Sequence, residues 1–200
     1  MKIISSVEEL EAVYDAVNPL SLEKVAGQIT PNYAKFIQAS RFVIVSTVGP
    51  EGTDASPRGD DGPVVEIADD KTILLPDWRG NNRLDTLKNI VRDKRISLMF
   101  LAHGANNVVR VNGTAVVSDD KALTDRFAKG EKSPRTVIVA TIDELYFQCA
   151  KALMRAGIWD ADAARPVVPS AGQFLREARE SFDADAYDAG YQAYAAERMW

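Results

Sequence analysis

One cysteine and one histidine in 200 residues limit the chemistry before any motif is read. Cys149 has no second cysteine in the chain to pair with, which excludes an intrachain disulfide and fits a reducing compartment. With His103 as the sole imidazole, a zinc site of the usual Cys/His type cannot be assembled within one chain. A Ser-His-acid triad would have to run through His103, and no G-x-S-x-G elbow is present to supply its serine. Neither G-x-G-x-x-G nor the P-loop signature occurs, so the two common nucleotide fingerprints are missing. No apolar run approaches the roughly 20 residues needed to span a bilayer. Met1–Glu9 turns acidic too early for a secretory signal, so a cytoplasmic location without a membrane partner is expected. Positive charge is also scarce. Lys and Arg number 24 against 29 Asp and Glu, and the net charge of −5 argues against a nucleic-acid partner, whose phosphates need a basic surface. Any phosphorylated ligand must be held by a local cluster of donors.

What is present is an ordinary globular composition, 46% apolar and 26% charged, long enough to bury a substantial core. Ser6-Val7-Glu8-Glu9 has capping-box spacing, and Val7, Leu10, Val13, Tyr14 and Val17 follow at helical intervals until Asn18-Pro19. A short helix is expected around Leu22–Ala26. Thr30-Pro31 then opens another that runs to about Ala39. From Arg41 the pattern changes to short β-branched runs: 42–48, 53–59, 64–68, 72–75, 96–102, 108–117 and a last long one from 136. Gly49-Pro50-Glu51-Gly52 reads as a hairpin turn. A helix after Arg83 carries Leu84, Leu87 and Val91 on one stripe with Ile90 beside it, and Ser118 is placed to cap a helix reaching about Lys129. About six strands at hairpin spacing, one inserted helix and helices at both ends give an α+β fold with a mainly β core. The expected architecture is a six-stranded antiparallel barrel with flanking N- and C-terminal helices. Residues 1–160 are expected to form the barrel domain with its N-terminal helices. Residues 161–200 form a linker and helical tail packed on that domain or on a partner chain.

Two segments carry chemistry. In the first, Leu74 to Leu87, an apolar run ends in Pro76. A polar loop follows with Asp77, Trp78, Arg79, Gly80, Asn81, Asn82 and Arg83, and an amphipathic helix begins. Backbone N–H groups, side-chain amides and guanidinium forks at a helix N-terminus are the donors a phosphate dianion takes. Asn81 or Asn82 can cap the helix. Two arginines at its positive end call for an anion or for solvent. In the second segment, Ser56-Pro57-Arg58-Gly59-Asp60 closes a strand whose ladder Pro57 interrupts. Ser56 and Arg58 could donate to an anion or a ring carbonyl, or the arginine could simply be solvated.

Together these segments resemble the flavin-binding split-barrel superfamily typified by pyridoxamine 5′-phosphate oxidase. The likeness is greatest to its bacterial branch with S-P-R-G-D and D-W-x-G-N-x-R patterns. Arg110-Val111-Asn112-Gly113-Thr114-Ala115 and Cys149-Ala150-Lys151-Ala152-Leu153-Met154-Arg155, followed by Trp159, extend the match in order over roughly residues 40 to 160. The resemblance implies a split-barrel homodimer with FMN in clefts at the interface. It implies that the strand of Ser56, Pro57, Arg58 and Gly59 contacts the ring and ribityl-phosphate arm. Pro76 and Asp77 would line the ring, and the loop of Arg79, Gly80, Asn81, Asn82 and Arg83 would hold the phosphate. Cys149 and Lys151 would approach from the partner chain. NAD(P)H is a candidate electron donor.

The chain departs from the oxidases in two places. Where they place a flavin-contacting glutamine on the long strand, this chain has Val108 with Asn107 beside it. Their C-terminal arginine-and-histidine grip on pyridoxal phosphate is absent, since the tail has no histidine. The resemblance therefore implies an FMN-dependent oxidoreductase with a different substrate. Its alternatives are a flavin carrier or redox sensor, or a barrel holding haem or a deazaflavin. His103 is expected to be exposed and Cys149 to be a small buried apolar residue. Asp60-Asp61 and Asp69-Asp70 read as turn residues, and Trp200 with Tyr187, Tyr191 and Tyr194 as packing residues.

Overall fold

The computed structural model describes residues 1–162 and 166–200. Strands β1 (Phe42–Gly49), β2 (Gly52–Gly59), β3 (Glu66–Ile67), β4 (Thr72–Asp77), β5 (Arg95–Leu101), β6 (Val108–Ser118) and β7 (Thr136–Gln148) form one antiparallel sheet in the order β2-β1-β5-β6-β7-β4-β3. The seventh strand is the two-residue β3. It is the remnant of the expected strand 64–68, because Val64 and Val65 leave the ladder and enter the core, exposed by only 2% and 4%.

Alternation writes the core. Val43 and Val45 on β1, Ile96, Leu98 and Phe100 on β5, and Val109 and Val111 on β6 point to one side and are buried. Ile37 from α3 (Pro31–Ala39) and Ile90 from α4 (Asp85–Arg92) close that core. The long strands β6 and β7 run through both halves of the barrel. β6 shifts register at Asn112/Gly113, where a Cβ on Gly113 would fall on the Thr141 carbonyl oxygen. That close approach is why the R-V-N-G run carries glycine there.

Several helices differ from expectation. α1 covers only Val7–Glu11, capped by Ser6, and its expected apolar stripe is not buried: Val7, Leu10, Val13, Tyr14 and Val17 are all exposed. α2 spans Leu20–Glu23. On α4 the inward face is Thr86, Asn89 and Ile90, while Leu84 and Val91 are exposed. Hydrogen bonds explain the exchange of faces. Thr86 donates to Asp54 Oδ2 at 2.5 Å, and Asn89 Nδ2 donates to Thr47 Oγ1 at 3.2 Å. Two satisfied polar side chains are thus buried where the apolar pattern would have put leucine. Asp120, not Ser118, caps the next helix, α5 (Lys121–Thr124), which passes into a 3₁₀ turn at Asp125–Phe127 and so ends close to the expected Lys129. α6 (Lys151–Ala156) follows β7. Beyond the expected linker, whose residues 163–165 lie outside the described residues, α7 (Ala171–Ala178) starts on a Ser170/Gln173 capping box and α8 (Ala184–Ala196) on Asp183.

Candidate functional site

β2 and the β4–α4 connection face each other across a cavity of about 790 Å³, a volume in the range of cofactor pockets. One wall is residues 54–58 of β2. The other is the continuous run 77–87, and Arg135 and Thr136, at the entry to β7, complete the lining. Nine of the residues expected at a site line it together: Ser56, Pro57, Arg58, Asp77, Arg79, Gly80, Asn81, Asn82 and Arg83. Gly59 ends β2 just beyond the lining. Pro76 is buried in β4, opposite Val137 of β7.

Asn107, Cys149 and Lys151 lie elsewhere. Asn107 Nδ2 donates to the Gln148 carbonyl, and Cys149 is exposed, not buried as expected, because it follows the far end of β7 outside the sheet. Thr136 and Gln148 bound that 13-residue strand, whose length separates them by on the order of 40 Å. Within one chain, these three residues do not meet the cavity.

The loop 78–84 differs in its chemistry from a simple helix cap. Neither asparagine caps α4. Asn81 Oδ1 accepts the Arg83 N–H at 3.0 Å, and Leu84 occupies the cap position with φ of 63° and no side-chain hydrogen bond. Asn82 is also left-handed, at φ 60°. Asparagine tolerates that conformation and leucine does not, so Leu84 carries strain of order 1–2 kcal/mol at the mouth of the site. Asp85 in the first turn provides the negative charge the helix end prefers, and it holds Arg83 Nε at 2.5 Å.

The remaining charges divide cleanly. Arg58 Nη2 lies 3.2 Å from Asp77 Oδ1. Burial raises the Asp77 pKa, and the Arg58 charge opposes that rise. Arg79 and Arg135 are exposed at the cavity and make no ion pair or hydrogen bond among the described residues. Two polar atoms of lining residues, Arg58 Nε and Thr136 Oγ1, are buried without a hydrogen-bond partner among the described residues. Such atoms are costly to leave unpaired, and a ligand with ring carbonyls or hydroxyls would satisfy them. Among the described residues no group of three or more His, Cys, Asp or Glu is placed to hold a metal, and no helix is long and apolar enough to cross a membrane.

Arg135, Thr136 and Asp54 are site residues that the sequence motifs miss. Arg135 and Thr136 come to the cavity only because β4 pairs with β7 in the register Asp77↔Thr136, which no local pattern announces. Asp54 could have been noted as the acidic residue two places before Ser56 on an alternating strand.

The long strands common to both halves, the strand order and the cleft between β2 and the β4–α4 loop define a split barrel. Solved structures share the fold. HupZ of Group A Streptococcus superposes with a TM-score of 0.51 at 19% identity, covering 60% of this chain and 99% of that one. A second HupZ structure gives 0.50 at 19% identity, covering 60% and 93%. An FMN-binding protein from Syntrophomonas wolfei aligns with a TM-score of 0.43 at 16% identity over 71% of this chain and 92% of its own. No curated protein sequence matches the chain significantly. The family model described as pyridoxamine 5′-phosphate oxidase matches residues 29–149. The chain belongs to that family.

Proposed function

We propose that this protein is an FMN-binding oxidoreductase of the pyridoxamine 5′-phosphate oxidase family acting on a substrate other than pyridoxamine phosphate. Family membership supports a flavin-binding, oxidoreductase-like protein. FMN in particular is supported by the cavity. It offers two unengaged guanidiniums, Arg79 and Arg135, for a dianion. The same cavity offers two buried polar atoms without a partner among the described residues, Arg58 Nε and Thr136 Oγ1, for a heterocycle. The presence of both kinds of group in one cavity carries the reading.

Arg79 and Arg135, joined by Arg83 once it leaves Asp85, would hold the phosphate. Exchange of that surface ion pair costs little, because the Arg83 side chain is 79% exposed. Asn81, Asn82 and Gly80 shape the loop around the ribityl arm. Arg58 Nε and the Thr136 hydroxyl would donate to the ring, with Ser56 and Pro57 beside Arg58 on β2 and Asp77 paired with its guanidinium. Bound FMN supplies the redox chemistry, with NAD(P)H as the donor we expect. The chain supplies orientation and a positive charge at Arg58 that favours electron density on the ring.

A homodimer completes the reading. Phe42 and Ile44 on β1 and Met99 and Leu101 on β5 stand on the sheet face opposite the core and pair Phe42↔Leu101 and Ile44↔Met99, with Phe42 39% exposed. An apolar sheet face of this kind suits a second copy. The partner's Asn107, Cys149 and Lys151 would then be free to reach the cofactor from the other side. We place the chain in the cytoplasm, with the barrel in residues 1–160 and the tail in 161–200.

The test is direct. Protein purified from its native host should be yellow, release FMN on denaturation and elute as a dimer. NAD(P)H with an electron acceptor should turn it over. A colourless protein that cannot be reconstituted with FMN overturns the proposal. A flavin that no donor reduces leaves a carrier or sensor in place of the enzyme.

A further inference from the structure

The helical pair α7–α8 keeps its polar contacts to itself. Ser170 and the Gly172 N–H both donate to Asp188, and among the described residues no hydrogen bond or ion pair joins either helix to the barrel. The residues after α8 make the connection instead. The Trp200 indole packs edge-on against Trp78, with centroids 5.2 Å apart and planes at 73°. The Lys129 ammonium lies 3.5 Å from the Trp200 ring centroid and 5.8 Å from that of Trp78.

This contact is tied into the cavity walls. Asp60, whose side chain is only 9% exposed, accepts from Lys129 Nζ at 2.5 Å and from Trp78 Nε1 at 3.3 Å, and Asp61 pairs with the same ammonium. Trp78, Asp60, Lys129 and Trp200 thus form a closed ring of contacts. Asp60 follows Arg58 and Gly59 out of β2, and Trp78 follows Asp77 out of β4, so the ring joins the exits of both cavity walls. Trp78 and its neighbour Arg79 line the cavity themselves. The arrangement is stiff where it counts. A cation held by two carboxylates and covered by an indole face resists displacement, and the perpendicular indoles fix each other's planes.

We propose that Trp200 is a positioning residue for the cavity, holding Trp78 and with it the loop 78–84 in the conformation that presents Arg79. The part of this that concerns FMN rests on the function proposed above. The part that concerns the loop does not.

The experiment uses the full chain with Trp200→Ala, Trp200→Phe and Lys129→Met, each followed by amide hydrogen exchange without ligand and by FMN titration. Trp200→Ala should speed exchange of the amides in 78–84 while leaving β5 and β6 unchanged, and weaken FMN about tenfold, the scale of losing an aromatic and a cation–π contact. Trp200→Phe should restore most of both effects, since it keeps a ring on Trp78 and Lys129, and Lys129→Met should reproduce the faster exchange. Unchanged exchange in 78–84 for both Trp200→Ala and Lys129→Met overturns the proposal. Faster exchange in a protein that never binds FMN supports the positioning role and overturns the flavin reading alone.

Discussion

Arg58 Nη2 and Asp77 Oδ1, 3.2 Å apart, join two strands that stand at opposite ends of the sheet order, β2 at one edge and β4 next to the other. The pair closes the barrel across the mouth of the cavity. It also sets a pH dependence. Burial raises the Asp77 pKa above its value in an unfolded chain, against the pull of Arg58. Between the two values the folded state binds more protons, so this group's contribution to stability is present at low pH and is lost as pH rises through the folded pKa. Asp77→Asn removes the titration. The stability of the variant relative to the parent should therefore rise with pH from around the ordinary aspartate value of 3.8 and level off once the pH exceeds the raised folded pKa, measured by urea unfolding across the range. A relative stability that falls with pH would show that Arg58 outweighs burial.

The free arginines make a second prediction. Arg79→Ala and Arg135→Ala should each weaken FMN by about 10- to 100-fold, the range for losing a charge-assisted hydrogen bond of about 1.5–3 kcal/mol, and leave riboflavin nearly untouched. Arg83→Ala should act in the same direction but less, since Arg83 must first leave Asp85. Isothermal titration with both flavins separates the cases. Equal loss for the two ligands would remove the phosphate from this loop.

Much of this geometry was legible in the sequence, for identifiable reasons. Strands β1, β5 and β6 lie where the β-branched apolar runs placed them, within a residue or so, and the S-P-R-G-D and D-W-x-G-N-x-R segments do meet in one cavity. The failures have a common cause. On α4, apolar spacing pointed to Leu84, Leu87 and Val91; Leu87 does pack on the core, but Leu84 and Val91 are exposed, and Thr86 and Asn89 are buried through long-range partners, Asp54 and Thr47. Asp120 displaced Ser118 as a cap because the Ser118 hydroxyl accepts the Asp120 N–H instead. Arg135 and Thr136 joined the site through strand pairing alone. Contacts local in sequence were readable, and those set by tertiary register were not.

Thr86 offers a measure of one such hidden contact. Its side chain is 3% exposed, and its hydroxyl donates to the Asp54 carboxylate at 2.5 Å, tying α4 to the β2 wall. Thr86→Val keeps the shape and removes the donor. The expected loss is about 2 kcal/mol, because a partly buried carboxylate loses its partner. Chemical denaturation reads it directly. A change under about 0.5 kcal/mol would mean that water replaces the hydroxyl at no cost.

Gly113 sets the sharpest stability prediction. A methyl group there would collide with the Thr141 carbonyl oxygen, and the Thr141 carbonyl carbon and the Asp143 amide nitrogen are close behind, all of them backbone atoms that no side-chain rotation can clear. The clash falls at the register shift where β6 passes between the two halves of the barrel. Gly113→Ala should therefore cost at least about 3 kcal/mol or prevent folding. Gly104→Ala is the control. Gly104 has φ of 78° but open space around it, so only its left-handed backbone is penalised, at about 1 kcal/mol. Thermal or urea unfolding of both variants should separate the two by about 2 kcal/mol or more. Equal losses would show that β6 and β7 can part at the bend, and the close approach of the two long strands would not be what Gly113 is there to permit.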